Sequence, residues 1–395
     1  MEWNMKSLSD IAYNIDGQPM FKILDKAQKL EREGKEILHF ELGEPDFDTP
    51  INIVNAACNS LMSGETHYTS SMGLYDFRVV AQEATLKSRG FKPSLEQVLV
   101  TPGANSIIYF AIKCLVNPGE EVIVPDPGFP TYYSAIKACD AKAVTVQLKE
   151  SNQFRLKPED LENAITDKTR LIILNTPSNP TGSVMTSDEI QKIAEIAKKY
   201  DIYLLSDEIY GRLIFNNEKS FLSPSYLDGC KERTIIINGF SKAYAMTGWR
   251  LGVAIGPEEV IEKMGLLVST IVSCVPTFIQ RAGIEAIMGD QKSLIEMKDE
   301  YNERRKILVN GLNSIDGITC IEPDGAIYAF PNITGTGMSS DVFANFALEK
   351  AGIALLPGNN FGKAGEGYVR ICYVNTRENI IKALDNLKKA LENIQ

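Results

Sequence analysis

Residues 234–252 read TIIINGFSKAYAMTGWRLG, and the fold prediction starts from this segment. It begins with a short run of β-branched apolar residues, which is typical of a strand buried on both faces of a parallel sheet. A second apolar run follows at 251–255. Between the two runs, Lys242 stands among small, aromatic and apolar residues. A partly buried amine has a lowered pKa and can form a Schiff base with a carbonyl compound.

Short apolar runs recur along the chain, and helical segments lie between several of them. The clearest helix covers 187–200, where Ser187 can cap the first turn and apolar residues line one face. Alternating strands and helices predict an α/β domain with a mainly parallel sheet, with limits at about residues 48–285. The strand-like runs are 98–100, 121–124, 143–146, 171–174, 202–205, 234–237 and 251–255.

The remaining residues, 1–47 and 286–395, predict a smaller α+β domain. A long charged helix over 291–310 would connect the two domains, with Gly311 just past its end as a stop signal. The C-terminal residues form an amphipathic helix, and the N-terminal segment either joins this domain or reaches a partner subunit. Strand-like runs of this domain are 318–321, 326–330 and 368–373.

Composition excludes several classes of protein. Acidic residues outnumber basic ones by 51 to 41, whereas a general nucleic-acid binder needs an excess of Lys and Arg. No run approaches the roughly 20 apolar residues of a membrane span, and the first ten residues lack the apolar core of a secretion signal. Seven scattered Cys without a CxxC pair indicate reduced thiols in the cytoplasm. Only two His occur, far from any Cys cluster, so we predict no metal site and no serine–histidine triad.

Ligand groups in open α/β sheets lie beyond the carboxyl ends of the strands, so the residues after each run are candidates. After 98–100, the small residues Gly103, Ala104 and Asn105 open a helix. Free N–H groups and the helix dipole there suit a phosphate, although a plain strand–helix turn explains the pattern equally well. Arg250, with apolar and small neighbours, also suits a phosphate dianion.

Two further strand ends carry polar side chains. Asn179 follows 171–174 in a loop with two prolines and a glycine, and is either a turn residue or a hydrogen-bond donor held at the sheet edge. Asp207 follows 202–205, with Tyr210 nearby. A carboxylate at the end of a buried strand loses hydration unless it meets a cation. Asp207 is therefore either the acid of a helix N-terminus or the partner of a protonated ring nitrogen.

The stretch 239–252 resembles the lysine signature of the class I/II aminotransferases, which belong to the fold type I group of pyridoxal 5'-phosphate enzymes. Other motifs occur in the order of that family, and the resemblance covers nearly the whole chain. One such motif is modest support, but seven in the right order make coincidence a poor explanation. They are Gly43-Glu44-Pro45-Asp46, Tyr68-Thr69-Ser70, Thr101-Pro102-Gly103-Ala104, Asp126-Pro127-Gly128-Phe129-Pro130, Asn179-Pro180-Thr181-Gly182, Asp207-Glu208-Ile209-Tyr210 and Arg370 in 368–371.

The resemblance implies roles around the cofactor ring. Lys242 would form the Schiff base and then move the proton between the substrate α-carbon and the cofactor. Asp207 would keep the pyridine nitrogen protonated, so that the ring accepts electrons from the carbanion. Tyr210 and Asn179 would hydrogen-bond the phenolic oxygen of the ring, and Phe129 would stack on it.

The resemblance also implies how the phosphate and the substrate are held. Tyr68 would reach the phosphate of the neighbouring subunit, which implies a homodimer with composite sites. Arg370 would grip the α-carboxylate of the substrate with two hydrogen bonds, helped by Asn179 and the Gly43 backbone. The phosphate would be held by the backbone N–H groups of Gly103, Ala104 and Asn105, together with Ser241 and Arg250.

Two positions depart from the pattern of this family. Gly239 stands where many relatives carry a Ser, so one phosphate hydrogen bond is missing or supplied elsewhere. Asn105 stands where one aspartate-using subgroup carries a Lys that binds the distal carboxylate of the substrate. Another subgroup uses an Arg of the partner subunit instead, but the corresponding stretch here, 267–276, contains no cation. An unpaired second carboxylate would cost about 1–3 kcal/mol or more. Aspartate remains possible as a substrate, but it is not favoured over a neutral, aromatic or phosphorylated amino acid.

The sequence thus predicts a cytoplasmic, dimeric aminotransferase that moves an α-amino group from an amino acid to a 2-oxo acid. The same scaffold also supports other reactions: amino-acid decarboxylation, β-elimination or cyclisation. A more remote alternative is an aminotransferase-like domain that senses a ligand in a transcription regulator. The acidic charge and the early first strand-like motif, 38–43, count against this alternative.

Overall fold

The computed structural model describes residues 7–14, 17–215 and 222–393 of the chain. The strands are β1 Leu38–His39, β2 Val98–Pro102, β3 Glu121–Asp126, β4 Lys142–Gln147, β5 Thr169–Asn175, β6 Tyr203–Asp207, β7 Thr234–Gly239, β8 Leu251–Ile255, β9 Tyr328–Ala329, β10 Ile353–Ala354, β11 Leu356–Pro357 and β12 Val369–Cys372. The α-helices are α1 Asp10–Asn14, α2 Pro19–Arg32, α3 Ile51–Met62, α4 Tyr75–Arg89, α5 Ala104–Leu115, α6 Pro130–Ala138, α7 Pro158–Asn163, α8 Ser187–Lys199, α9 Ser225–Asp228, α10 Glu258–Val272, α11 Thr277–Met288, α12 Lys292–Leu312, α13 Ser340–Phe346 and α14 Arg377–Glu392.

The central sheet has seven strands in the order β2-β8-β7-β6-β5-β3-β4. Only β8 runs against the others, because it pairs antiparallel with both β2 and β7, whereas the remaining pairs are parallel. The carboxyl ends of six strands therefore share one edge with the beginning of β8. The prediction of an α/β fold with a mainly parallel sheet is confirmed.

Burial on both faces explains why the strands read as continuous apolar runs. Ile235 and Ile237 pack in the cluster that contains Ile107 of α5, while Ile236 packs on the opposite face with Phe77 of α4. All three isoleucines are fully buried. Helices on both faces thus hold the sheet, and the polar loops at its edge are free to form a site.

A smaller group of elements packs around a second core. The strands β11, β12 and β9 form an antiparallel sheet, and β1 pairs in parallel with β10. Their core includes Tyr301 of α12, Phe343 of α13 and Leu387 of α14. The division at 48 and 285 stays a prediction, and residues 1–6 and 15–16 of its N-terminal part lie outside the described residues. Within the described residues, no helix combines the length and apolar character needed to cross a bilayer.

The helix predicted over 187–200 is present, but its cap is Thr186 rather than Ser187. The Thr186 hydroxyl accepts the Glu189 N–H at 3.2 Å, and the Glu189 carboxylate accepts the Thr186 N–H at 2.8 Å. This reciprocal pair satisfies two N–H groups that would otherwise be free, so the helix begins one residue after Thr186.

Two predictions for the smaller part are wrong. Gly311 does not stop the long helix, because α12 continues to Leu312. A Cβ at Gly311 would lie 2.3 Å from a methyl carbon of Leu384, so the glycine lets α14 pack closely on α12. The run 318–321 is not a strand, since it makes only an isolated bridge between Thr319 and Asn332.

Candidate active site

A cavity of about 470 Å³ opens at the carboxyl edge of the central sheet. Most of the residues predicted from the sequence line it, although they come from separate strand ends and loops. They are Gly43, Ala104, Asn105, Phe129, Asn179, Asp207, Tyr210, Ser241, Lys242, Arg250 and Arg370. Two predicted residues are not among its lining: Gly103 and Tyr68.

Lys242 lies in the loop between β7 and β8, and its side chain enters the cavity. Its Nζ donates a hydrogen bond to the Gly43 carbonyl. Burial lowers the pKa of the Lys242 amine to about 8. A Cβ at Gly43 would lie 2.1 Å from the Tyr328 hydroxyl, so only glycine lets this backbone come so close. The lysine therefore presents an amine that is readily deprotonated near neutral pH.

Asp207 is the last residue of β6 and lies on the floor of the cavity. Its Oδ2 accepts the Tyr132 hydroxyl at 2.6 Å, and its Oδ1 accepts the Ile209 N–H at 3.2 Å. Burial raises the pKa of Asp207 to about 6, although these two hydrogen bonds act against that rise. The carboxylate is thus largely ionised at pH 7 and can neutralise a cation in the cavity.

Tyr210 and Tyr328 form a second polar pair beside Lys242. Their hydroxyl oxygens lie 2.7 Å apart, and their rings meet edge to face. Burial raises the pKa of Tyr210 well above its usual value, so this phenol stays protonated and can donate. Sequence reasoning missed Tyr328; the signal was its phenol at the centre of the apolar run 326–330.

One end of the cavity is suited to an anion. Ala104 and Asn105 begin α5, whose first N–H groups have no partner within the helix. The Gly103 N–H instead donates to the Thr101 carbonyl at 2.8 Å. It is therefore not one of the free N–H groups at the start of α5. A Cβ at Gly103 would lie 2.5 Å from Nη2 of Arg250, which shows how closely the guanidinium approaches the helix start.

Position 239, which lacks the serine, has a close neighbour. A Cβ at Gly239 would lie 2.8 Å from the Cδ1 of Ile209, so a side chain here would require this terminal methyl to move. Ser241, two residues later, is buried and lines the cavity. A hydroxyl is therefore available near this position, although not at residue 239.

Arg370 carries a buried positive charge at the other end of the cavity. Its guanidinium donates to the Asn179 side-chain oxygen at 3.1 Å and to the Glu41 carbonyl at 2.5 Å. It also lies 4.4 Å from the centre of the Tyr328 ring, and its Nε has no partner within the described residues. All these neighbours are uncharged groups, so the site favours an incoming anion such as a carboxylate.

Part of the cavity lining is apolar. Met20, Phe21 and Leu24 reach it from α2, and Ile108 reaches it from α5. Phe21 is 54% exposed, although it lines the cavity. A large apolar side chain left partly open to solvent is a candidate contact for an apolar ligand group.

Comparison with known proteins decides the family. The sequence pattern described as "Aminotransferase class I and II" matches residues 35–387. This chain belongs to the class I and II aminotransferases. The prediction made from the motif order is confirmed.

The relatives of this aminotransferase match over almost the full chain. It is 43% identical to an aspartate aminotransferase of Pyrococcus horikoshii over 94% of both chains. It is 39% identical to aromatic-amino-acid aminotransferase 2 of Thermococcus litoralis over 98% of both. The solved aspartate aminotransferase of Rhizobium meliloti matches with a TM-score of 0.94 and 34% identity, covering 98% of this chain and 99% of that one. The fold type I assignment is confirmed.

The enzyme is a pyridoxal phosphate-dependent transaminase that moves an amino group between an amino acid and a 2-oxo acid. The cavity fits this cofactor. It offers an amine for the aldehyde, a buried carboxylate at the end of β6, and a guanidinium beside a helix start. A Cβ at Gly103 would fill the space beside that guanidinium. These are the groups that an aldehyde, a pyridine nitrogen and a phosphate require.

Proposed function

We propose that this aminotransferase binds pyridoxal phosphate through Lys242 and takes its amino group from an amino acid with an apolar or aromatic side chain. The observation that carries the proposal is the shared cavity, which is lined by the Lys242 amine, the buried Arg370 guanidinium and several apolar side chains. An amino acid needs both groups, because its α-carboxylate seeks the cation while its α-carbon must come close to the amine.

Pyridoxal phosphate supplies an aldehyde that exchanges amines and a ring that withdraws electrons from the substrate α-carbon. Lys242 Nζ would hold that aldehyde, and its amine would be the group that accepts the α-proton. Its lowered pKa supports this role, because a neutral amine can accept a proton near pH 8. The Asp207 carboxylate holds the pyridine nitrogen in its protonated form.

Other residues orient the ring. The Tyr210 hydroxyl and the Asn179 side-chain amide both line the cavity. They would donate to the phenolic oxygen of the ring. Phe129, which precedes α6, would cover one ring face. Because Tyr210 and Asn179 also contact Tyr328 and Arg370, the ring and the substrate carboxylate are held by one connected set of side chains.

The phosphate is bound at the beginning of α5. The backbone N–H groups of Ala104 and Asn105, the Ser241 hydroxyl and the Arg250 guanidinium are its donors. The Gly103 contribution is steric, since its N–H already has an acceptor and its missing side chain leaves room for Arg250. Tyr68 of each subunit donates to the phosphate of a second subunit in a homodimer. Its 87% exposure supports a contact outside its own chain.

Arg370 binds the α-carboxylate of the substrate, with the Asn179 amide and the Gly43 backbone beside it. A guanidinium offers two parallel N–H donors to a carboxylate, which fixes the orientation of the α-carbon. The uncharged neighbours of Arg370 leave its charge available for this partner.

The apolar part of the lining supports an apolar or aromatic donor. Among the described residues that line the cavity, the cations are Lys242, Arg250 and Arg370, and each has a role above. A second carboxylate would therefore meet Met20, Phe21 and Leu24 instead of a cation. One relative is named for aromatic amino acids and others for aspartate, so both classes belong in the test.

A spectral titration tests the proposal. The cofactor-loaded protein is mixed with phenylalanine, tyrosine, leucine, aspartate and glutamate, and the absorbance of the cofactor is followed. We expect the apolar and aromatic donors to convert the cofactor at lower concentration than the two acidic ones. Lys242→Ala should abolish the conversion. Efficient conversion by aspartate alone would contradict the donor class, and full conversion by Lys242→Ala would contradict the role of the lysine.

We also place the enzyme in the cytoplasm. All seven cysteines lie in the described residues and are free thiols, which supports a reducing compartment.

A further inference from the structure

Tyr132 is a fully buried phenol that the proposed roles leave unused. It lies one helical turn after Phe129, in α6, and its side chain reaches the floor of the cavity. Its hydroxyl donates to Asp207 Oδ2 at 2.6 Å, although the two residues are 75 positions apart in the chain. Its ring meets the Phe129 ring edge to face, with 5.6 Å between the ring centres.

We propose that Tyr132 is a positioning residue that keeps Asp207 ionised and aimed at the pyridine nitrogen while it supports the Phe129 ring against the cofactor. This inference rests on the proposed function, because it assigns Asp207 and Phe129 their roles at the ring. It adds one residue that supports two contacts of the bound cofactor: Asp207 at the pyridine nitrogen and Phe129 on the ring face.

The hydrogen bonds of Asp207 leave room for the cofactor. Its Oδ1 accepts the Ile209 amide and its Oδ2 accepts the Tyr132 hydroxyl. A carboxylate has about four acceptor positions, so a ring N–H can be added without displacing either donor. The two protein donors fix the plane of the carboxylate before the cofactor arrives.

The charge on Asp207 needs this support. Burial favours the protonated, uncharged form of Asp207. In that form the carboxyl group would carry no charge to balance a protonated pyridine nitrogen. The Tyr132 hydroxyl stabilises the anion by donating to it. Burial raises the pKa of Tyr132 well above its usual value, so this phenol remains a donor at every working pH.

The other charged or titratable groups around Asp207 have hydrogen-bond or ion-pair partners other than Asp207. Glu208 is fully buried and pairs with Arg89, with 2.5 Å between Oε2 and Nη2. The Lys242 amine donates to the Gly43 carbonyl, and the Tyr328 hydroxyl pairs with Tyr210. Within the described residues, Tyr132 is thus the side chain that donates to Asp207.

Tyr132→Phe tests the inference, with Tyr133→Phe as the matched control. Tyr133 follows in the same helix and also donates its hydroxyl, but to the Pro125 carbonyl at 3.0 Å. The dissociation constant of pyridoxal phosphate is measured for both variants and the wild type between pH 5 and 8. Both replacements keep the aromatic ring, and the near-ultraviolet circular dichroism of the apoprotein checks that the packing is retained.

We expect Tyr132→Phe to bind the cofactor roughly ten- to a hundredfold more weakly, because a hydrogen bond to a charged group is lost. The acid-side loss of affinity should also begin about one pH unit higher, since Asp207 without this donor takes up a proton more easily. Tyr133→Phe should match the wild type in both respects.

The background Asp207→Asn separates a direct effect on the carboxylate from general damage. In that background the pH shift should disappear, and Tyr132→Phe should weaken binding far less than in the wild type. Equal affinity and equal pH profiles for the two tyrosine variants would overturn the inference. An undiminished loss in the Asp207→Asn background would overturn it as well. A wild-type protein that fails to bind pyridoxal phosphate would instead overturn the proposed function.

Discussion

Burial acts in opposite directions on the pKa values of Lys242 and Asp207, which line the same cavity. It lowers the pKa of Lys242 to about 8 and raises that of Asp207 to about 6. The cause is the same for both, because a charged group loses hydration when it is enclosed. At pH 7 both groups are still mainly charged. A small change of pH or the arrival of a binding partner therefore changes the protonation state of either group.

The lowered pKa of Lys242 predicts how fast the apoprotein captures its cofactor. The neutral amine is the nucleophile, so the capture rate should rise from pH 6 to about pH 8 and then level off. Stopped-flow absorbance with excess pyridoxal phosphate measures the rate. An ordinary lysine has a pKa near 10.4, so a rate that still climbs tenfold per pH unit above pH 9 would contradict the shift.

Arg370 should not be replaceable by lysine. Arg370→Lys keeps the charge but loses the paired donors that match a carboxylate, so KM for the amino acid should rise roughly ten- to a hundredfold. Steady-state kinetics with the preferred donor measure this change. Arg377→Gln is the control, since Arg377 is exposed and pairs with Glu300 on the surface. Similar KM values for the two variants would argue against a bound carboxylate at Arg370.

At the level of elements, the strands of the central sheet could be predicted because each one is a run of apolar residues buried on both faces. The direction of β8 could not, since Leu251–Ile255 reads like its parallel neighbours. That direction carries Arg250 to the ligand edge, because the beginning of a reversed strand lies beside the carboxyl ends of the others. Lys242 and Arg250 could be identified from local sequence, but their closeness in space depends on the antiparallel pairing of β8 with β2 and β7.

Contacts between distant residues explain the other misses. Gly311 looks like a helix stop in sequence, yet its role depends on Leu384 of another helix. Tyr132 contacts Asp207 across the sheet, and Tyr328 reaches Tyr210 from the smaller part of the fold. Nothing in the local pattern around these residues specifies such partners.

The reciprocal cap of α8 gives a prediction for a single element. Thr186→Ala should lower the free energy of unfolding by about 0.5–2 kcal/mol, because the Glu189 N–H loses its acceptor. Ser187→Ala, one residue later and inside the helix, should change it much less. Denaturant unfolding of the apoprotein measures both. A larger loss for Ser187→Ala would show that the helix begins one residue later than described.

At the level of the whole molecule, the surface supports association of two chains. Large apolar side chains are exposed on α3 and α10, including Ile51 at 71% and Leu266 at 57%. Tyr68 lies in the segment that follows α3 and does not line the cavity of its own chain. A two-fold contact through these faces would bury them and bring each Tyr68 to the other subunit.

Hybrid dimers test this arrangement. Tyr68→Ala and Lys242→Ala each damage both sites of a homodimer, but a hybrid of the two has one site with an intact lysine and an intact tyrosine. Random exchange of subunits should therefore restore about a quarter of wild-type activity, because half of the dimers are hybrids with one good site. Mixing without exchange is the control. No recovery after verified exchange would mean that Tyr68 acts within its own chain.

The reversed strand has one more consequence. Gly239 and Gly252 are opposite each other in the antiparallel pair β7 and β8, and the Phe240 N–H donates to the Leu251 carbonyl, so the loop between the strands is closed at its base. Lys242 and Arg250 both belong to that closed loop. The amine and the guanidinium thus belong to one continuous segment of the chain. That segment could be transferred as a unit to another parallel sheet, provided that the recipient sheet accepts one antiparallel strand.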